Sequence, residues 1–197
     1  MSYWLLSFDR VYDRGLELSA TNPKPFKRRD RFRSLVVLLR RAPAGCVAEC
    51  GCFRGLSSYI LTHYARGRYR VFDSFEGLSE PGPEDEKHSS SWKGNFACGL
   101  EKVREILPKH VEFFKGWIPQ CFPQDEQTYA FVHIDVDLYQ PTKDSLLYFW
   151  PRMVQKGIIV CDDYNWKGAR QAVDEFCQET GARLKTTENQ QAYIVKP

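Results

Sequence analysis

An α/β fold, with a doubly wound, mostly parallel sheet and a C-terminal antiparallel strand pair, is what this sequence predicts. From residue 46 onward, short apolar runs alternate with amphipathic stretches, the pattern of strand–helix units stacked into a parallel sheet. Several of those runs end in acidic residues, at Glu49, Asp73, Asp135 and Asp162–Asp163. The first run opens into a glycine-bearing turn, Glu49-Cys-Gly-Cys-Phe-Arg-Gly55.

The elements come in this order. Residues 1–22 are mixed and show no decided pattern, and 23–33 are strongly basic, read as the solvated start of a helix rather than an anion clamp. Phe32, Leu35, Val36, Leu38 and Leu39 recur at helical spacing, so 30–41 is a helix, ended by Pro43 and Gly45. Strands are expected at 46–49, 69–72, 111–114, 130–134 and 157–161. Helices are expected at 56–65, opened by Ser57 and Ser58, and at 96–107, 144–153 and 168–180. Residues 183–187 and 192–195 form the closing antiparallel pair. The polar stretch 76–93 is long for a compact domain and is read as a lid loop. The chain is thus expected to be a single domain, 1–197, with a helical segment at 1–44 and a nucleotide-binding type of core at 45–197.

Composition narrows the function classes. A net charge of +3 is too weak a bias to argue for a nucleic-acid partner. No apolar run approaches the ~18 residues of a membrane span, and Met1–Leu6 lacks the charge and cleavage site of a signal peptide. The seven cysteines include no CxxC pair. Cys46, Cys50, Cys161 and Cys177 lie in or beside apolar segments, as reduced thiols of a cytoplasmic protein do.

Three constellations carry chemistry. Gly51 and Gly55 let the backbone approach a ligand at the start of a helix, with Glu49 at the end of the strand. Asp73 follows Glu49 by 24 residues, a spacing at which an acid accepts ribose hydroxyls. Phe53 stands where a pyrophosphate would need glycine, so a nucleoside ligand without pyrophosphate, S-adenosylmethionine rather than NAD, fits better. The strongest signal is Asp135 and Asp137 after one strand and Asp162 and Asp163 after the next. Like charges so close call for a cation or shared protons, and oxygen ligands favour Mg2+, then Mn2+ or Ca2+. His133 is read as a core histidine and His88 as surface or lid-borne chemistry. Trp92, Trp117 and Trp166 are rings able to stack on adenine or substrate.

Phe72-Asp-Ser-Phe-Glu-Gly-Leu78, His133-Ile-Asp-Val-Asp-Leu-Tyr139 and Gly157-Ile-Ile-Val-Cys-Asp-Asp-Tyr164 resemble the macrocin O-methyltransferase (TylF-like) family. Pro141-Thr-Lys-Asp-Ser-Leu146 and Ala169-Arg-Gln-Ala-Val-Asp-Glu-Phe176 extend the resemblance, which covers roughly 45–177. Ser79 departs from it, standing where a proline usually follows Glu-Gly-Leu. The resemblance implies a class I methyltransferase fold of Rossmann-like type. It further implies S-adenosylmethionine and Mg2+ (or Mn2+) as cofactors and a small-molecule hydroxyl, most often on a sugar of a natural product, as acceptor. Carried over by motif, Asp135, Asp162 and Asp163 bind the metal and Asp137 is the general base. Glu49, Gly51, Gly55, Ser57, Ser58, Asp73, Ser74 and Trp117 form the cofactor set. A homodimer is left open. A catechol or phenol O-methyltransferase, or a non-catalytic cofactor-binding domain, is the alternative.

Overall fold

The computed structural model describes residues 3–20, 27–86 and 92–197. Two helices come first, α1 (Tyr3–Ser19) and α2 (Lys27–Arg41). Then come β1 (Cys46–Cys50), α3 (Leu56–Thr62), β2 (Tyr69–Asp73), α4 (Leu100–Ile106), β3 (Glu112–Lys115) and β4 (Tyr129–Ile134). The chain continues through α5 (Tyr139–Phe149), β5 (Met153–Cys161), α6 (Lys167–Thr180), β6 (Leu184–Thr186) and β7 (Ala192–Val195). The sheet order is β3-β2-β1-β4-β5-β7-β6. All neighbours are parallel except β7, which runs antiparallel to both β5 and β6. The expected doubly wound sheet and its closing antiparallel pair are therefore both present. No helix among the described residues is long and apolar enough to cross a membrane.

Both faces of the sheet are covered, so the central strands are buried along their length and read as nearly continuous apolar runs. Alternation assigns side chains to the two faces. Ala48, Cys50, Phe72, Val132 and Ile134 pack with Phe149 of α5 and Phe176 of α6. Val47, Val71, Phe131 and Val160 pack with Leu35 and Leu38 of α2, Leu61 of α3 and Val103 of α4. This second face also carries polar side chains, because Glu49, His133 and Asp162 fall on it by the same two-residue period.

Several boundaries differ from expectation. Residues 3–19, undecided in sequence, form α1, whose Phe8 and Tyr12 pack on Val36 of α2 and on Leu56 and Ile60 of α3. That stripe is narrow, and the charged residues Asp9, Arg10, Asp13, Arg14 and Glu17 break up the apolar pattern. Asp9 and Asp13 are paired with Arg29 at 2.9 and 2.5 Å, so part of the basic run fastens α2 to α1. The helix expected at 96–107 begins at Leu100, because Gly94 and Phe96 take positive φ in the preceding turn. The helix expected from 144 begins at Tyr139 and carries Pro141 in its first turn, where a missing N–H leaves no gap. It ends at Phe149, and a 3-10 turn over Trp150–Arg152 leads into β5, which starts at Met153 rather than 157. Ser57 and Ser58 do not cap α3; Gly55, in the left-handed conformation, precedes it without a side-chain cap.

The long β2–α4 connection is anchored where it is described. Leu78 and residues 94–95 exchange main-chain hydrogen bonds of 2.8 and 2.9 Å. Asp85 accepts the first amide of α5, that of Tyr139, at 2.8 Å, capping that helix from a distant loop. A Cβ placed on Gly168, at the start of α6, would fall 1.9 Å from Asp85 Oδ1.

At the opposite end of the sheet, Arg70 of β2 is 5% exposed and lies between Asp125 (2.7 Å), Glu112 (3.3 Å) and the Tyr129 hydroxyl (3.1 Å). Burial opposes ionisation of Asp125, and the Arg70 hydrogen bond overrides it to hold that carboxyl low; Arg68 and then Arg70 do the same for Glu112. Arg70→Met is expected to lower unfolding free energy by about 1–2 kcal/mol at neutral pH, because it takes the charged partner from part-exposed Asp125 and a donor from the buried Tyr129 hydroxyl, while Glu112 keeps Arg68. Both carboxyls titrate below their unfolded values, so the stabilisation is complete above about pH 4.5 and is lost as pH falls through the lowered folded-state values. Urea melts of the two proteins should therefore converge in acid; a gap that is constant with pH contradicts this account.

Candidate functional site

Main-chain bonds continue the parallel ladder one residue past the strand ends. Gly51 N–H donates to Phe72 O, Asp135 N–H to Cys50 O, Asp162 N–H to Ile134 O and Gly116 N–H to Asp73 O. They set Gly51, Asp73, Asp135 and Asp162 side by side along the carboxyl edge, where ligands of open α/β sheets bind. A cavity of about 380 Å³ opens over this edge, within the range of small-molecule sites.

One half of the cavity is built from the β1 turn and the end of β2. Asp73 Oδ2 accepts the amides of Cys52 (2.7 Å) and Phe53 (3.3 Å), and Oδ1 accepts that of Phe75 (2.6 Å). Oδ1 thus keeps a lone pair for one further donor. Gly51 has φ +79, and a Cβ there would meet the Asp135 carbonyl oxygen at 1.9 Å, so only glycine fits. Ser74 and Trp117 line the same half, with Phe53, Phe96 and Trp166 among the aromatic walls.

The other half holds the aspartates. Asp135, Asp137, Asp162 and Asp163 all line the cavity, with Arg31 of α2 among them. Asp137 has φ +60, and the Leu138 amide reaches back to Val136 O at 2.6 Å, so Asp137 stands at the tip of a γ-turn. That strained conformation is held by Asp163 Oδ2, which accepts the Asp137 amide at 3.2 Å. His133, Asp135 and Asp162 bring potential ligand atoms within 4.8 Å of one another.

Electrostatics distinguish the four acids. Burial, then the charges of Asp135 and Asp162, push the Asp137 carboxyl up to about 8. Burial and Asp162 raise Asp135, and burial, Asp137 and Asp135 raise Asp163. Asp162 is the exception: burial works against its charge, yet the His133 hydrogen bond and the Arg31 charge hold it down at about 2. The cluster is therefore short of positive charge. Oxygen donors crowded in this way fit a hard divalent cation.

Four members of the expected cofactor set lie elsewhere. Glu49 is fully buried and accepts hydrogen bonds from the Ser58 hydroxyl, from Tyr69 (2.9 Å) and from His133 Nδ1 (2.9 Å). Its place on β1 turns it under α3, away from the cavity. Ser58 is spent on that bond, Ser57 is buried, and Gly55 faces Ile106 and Val103 of α4. Gly51, Asp73, Ser74 and Trp117 do line the cavity. His88 lies outside the described residues, and Trp92 is exposed away from the lining.

Sequence reasoning missed two residues. Arg31 donates to both the carboxylate and the main-chain oxygen of Asp162, and Gln191 donates to Asp162 Oδ1 at 2.5 Å. His133, read as a core histidine, is buried as expected but also bridges Glu49 to Asp162, the latter at 3.5 Å. Burial opposes its protonation, and the two carboxylates override it, raising it to about 10.

A parallel sheet with an antiparallel β7 and ligand groups at its carboxyl edge is the class I methyltransferase fold. A calicheamicin methyltransferase of known structure shares it with a TM-score of 0.72 at 18% identity, over 95% of this chain and 91% of the other. The profile of the macrocin-O-methyltransferase (TylF) family matches residues 27–193, and the chain belongs to that family. It is 31% identical over 169 residues to an 8-demethyl-8-(2,3-dimethoxy-alpha-L-rhamnosyl)-tetracenomycin-C 4'-O-methyltransferase from Streptomyces olivaceus. It is 29% identical over 171 residues to a demethyldecarbamoylnovobiocin O-methyltransferase from Streptomyces niveus. Each match spans 76% of this chain and 65% of the relative's length.

Glu49→Ala should destabilise the fold by about 3 kcal/mol, since it takes from buried His133 the nearer of its two carboxylate partners. Chemical denaturation measures this; wild-type stability with weakened ligand binding would return Glu49 to the ligand.

Proposed function

We propose that this chain is an S-adenosylmethionine- and divalent-metal-dependent O-methyltransferase acting on a hydroxyl of a small molecule, with a sugar of a natural product as the favoured acceptor. The observation that carries the reading is the cluster of Asp135, Asp137, Asp162 and Asp163 in one cavity with the Gly51–Asp73 turn. The tetracenomycin and novobiocin names of the relatives support a glycoside acceptor.

S-adenosylmethionine, when bound, supplies a methyl group on a sulfonium, which is a good electrophile. Asp135, Asp162 and Asp163 would hold a divalent cation, which would supply the acidification that a sugar hydroxyl needs at neutral pH. The chain's own residues do the rest. Asp73 Oδ1 offers its remaining lone pair to a ribose hydroxyl, and Gly51 lets the ligand lie against the main chain. Trp117 supplies a ring face. Asp137 takes the acceptor's proton. Asp137 lines the cavity at the tip of its γ-turn, where burial and then the charges of Asp135 and Asp162 raise its proton affinity; positive charge beside those two acids would lessen the second of these effects. The cavity walls would orient cofactor and acceptor toward one another.

The aromatic walls Phe53, Phe96, Trp117 and Trp166 also suit a flat phenolic diol. A screen of glycosides against catechols separates the two acceptor classes.

Asp137→Asn keeps shape but cannot accept a proton, so the turnover number is expected to fall ~10²–10⁴-fold. Metal affinity should hold; rescue by added magnesium would make Asp137 a ligand instead.

Chelation with EDTA is expected to abolish turnover and leave S-adenosylhomocysteine binding intact, because the two halves of the cavity come from different strands. Calorimetry with and without chelator reads this directly. Activity in a preparation free of metal by elemental analysis would end the metal reading.

A further inference from the structure

The Asp162 carboxylate divides its oxygens between two kinds of partner. Oδ1 takes the Gln191 amide at 2.5 Å and the approach of His133 Nε2 at 3.5 Å. Gln191 is fully buried, and His133 is held from behind by Glu49, so this side is fixed by the fold. Oδ2 takes Arg31, whose Nη2 also reaches the Asp162 main-chain oxygen at 2.6 Å. Arg31 comes from α2, its side chain is 25% exposed, and it borders the cavity. It can leave Asp162 without opening the core, whereas Gln191 and His133 cannot.

A cation brought to Asp162 needs the outward oxygen, and that is the oxygen Arg31 holds. Two positive charges at contact distance beside part-buried Asp162 repel each other. The neighbouring arginines of α2 are engaged elsewhere, Arg29 with Asp9 and Asp13, and Arg33 with Asp9 and Asp30. Among the described side chains of this helix, Arg31 is the arginine in the cavity wall, and so the one that a metal would meet there.

We propose that Arg31 is a displaceable counter-ion of the aspartate cluster: the guanidinium and a divalent cation are alternative occupants of Asp162 Oδ2. Arg31 thereby sets the affinity of the metal site and gives up Asp162 when the metal binds. The proposal rests on the reading of the cluster as a metal site. The exchange has two consequences. The cluster carries a compensating charge before any metal arrives, so the fold does not require one. After exchange, the guanidinium remains at the cavity wall, where its donors face acceptor oxygens.

Manganese alone is the probe. Its dissociation constant is measured by titration calorimetry, and by the electron-spin signal of free Mn2+, for the wild-type chain, Arg31→Met and Arg33→Met. Arg31→Met should bind Mn2+ about tenfold more tightly, the scale of one removed, partly screened charge. Arg33→Met, which takes the same charge from the same helix, should match the wild type. Unchanged or weaker binding by folded Arg31→Met, or equal tightening in both variants, overturns the proposal. Manganese binding to none of the three proteins overturns the metal reading itself, and the proposal with it. A crystal structure of the wild-type chain with Mn2+ gives a test free of any variant. Arg31 is expected off Oδ2, and an intact Arg31–Asp162 pair beside bound manganese overturns the proposal.

Discussion

Crowding of like charge at one edge of the sheet is the constraint on which the rest of this structure turns. Four carboxylates share a cavity wall with the Arg31 guanidinium and, behind it, the buried His133 imidazole. Each acid therefore depends on the state of the others. Asp162 keeps its charge because Arg31, His133 and Gln191 gather on it; Asp135, Asp137 and Asp163 resist ionisation because they are buried and, after that, because the other acids of the cluster lie close by. Such an arrangement is unfavourable in itself and is maintained by everything packed behind it.

That backing comes from strand geometry. Glu49 pairs in register with His133, and His133 with Val160, two residues before Asp162. With side chains alternating, all three fall on the face covered by α2 and α3. The row Glu49–His133–Asp162 is therefore a consequence of register across β1, β4 and β5. It links Ser58 of α3 and Tyr69 of β2 to the acid edge. Arg31 completes the row from above because α2 lies across this same face.

The sheet was legible because its strands are short apolar runs that end in acids, a pattern set by burial on both faces. The aspartates and the Gly51–Asp73 turn were legible for the same reason: strand ends place residues at the edge whatever the helices do. Partners joined only by the tertiary fold were not. Arg31 and Asp162 are 131 residues apart in sequence, and nothing in a run of arginines tells which one crosses to the sheet and which bind α1. Glu49 lies under α3 and is bonded to Ser58, Tyr69 and His133, a set of partners that the residue type at a strand end does not reveal. Gln191 gave no signal, since one amide in a polar turn resembles any other. The α1 pattern was obscured by Asp9 and Asp13, whose charges are explained only by arginines on the next helix.

Asp85 and Gly168 show how far from the cavity its shape is decided. The Asp85 carboxylate occupies the space that a side chain at 168 would fill, and from there it closes the first turn of α5. The loop bearing Gly77, Leu78 and Ser79, all in the cavity wall, is thus moored to the helical side of the molecule by the lack of one methyl group. A single carbon added at 168 has to shift the mooring, α6 or both, while Asp73 and the aspartates keep their own strands. The wall formed by this loop and the edge formed by the strand ends are in this way set by separate positions.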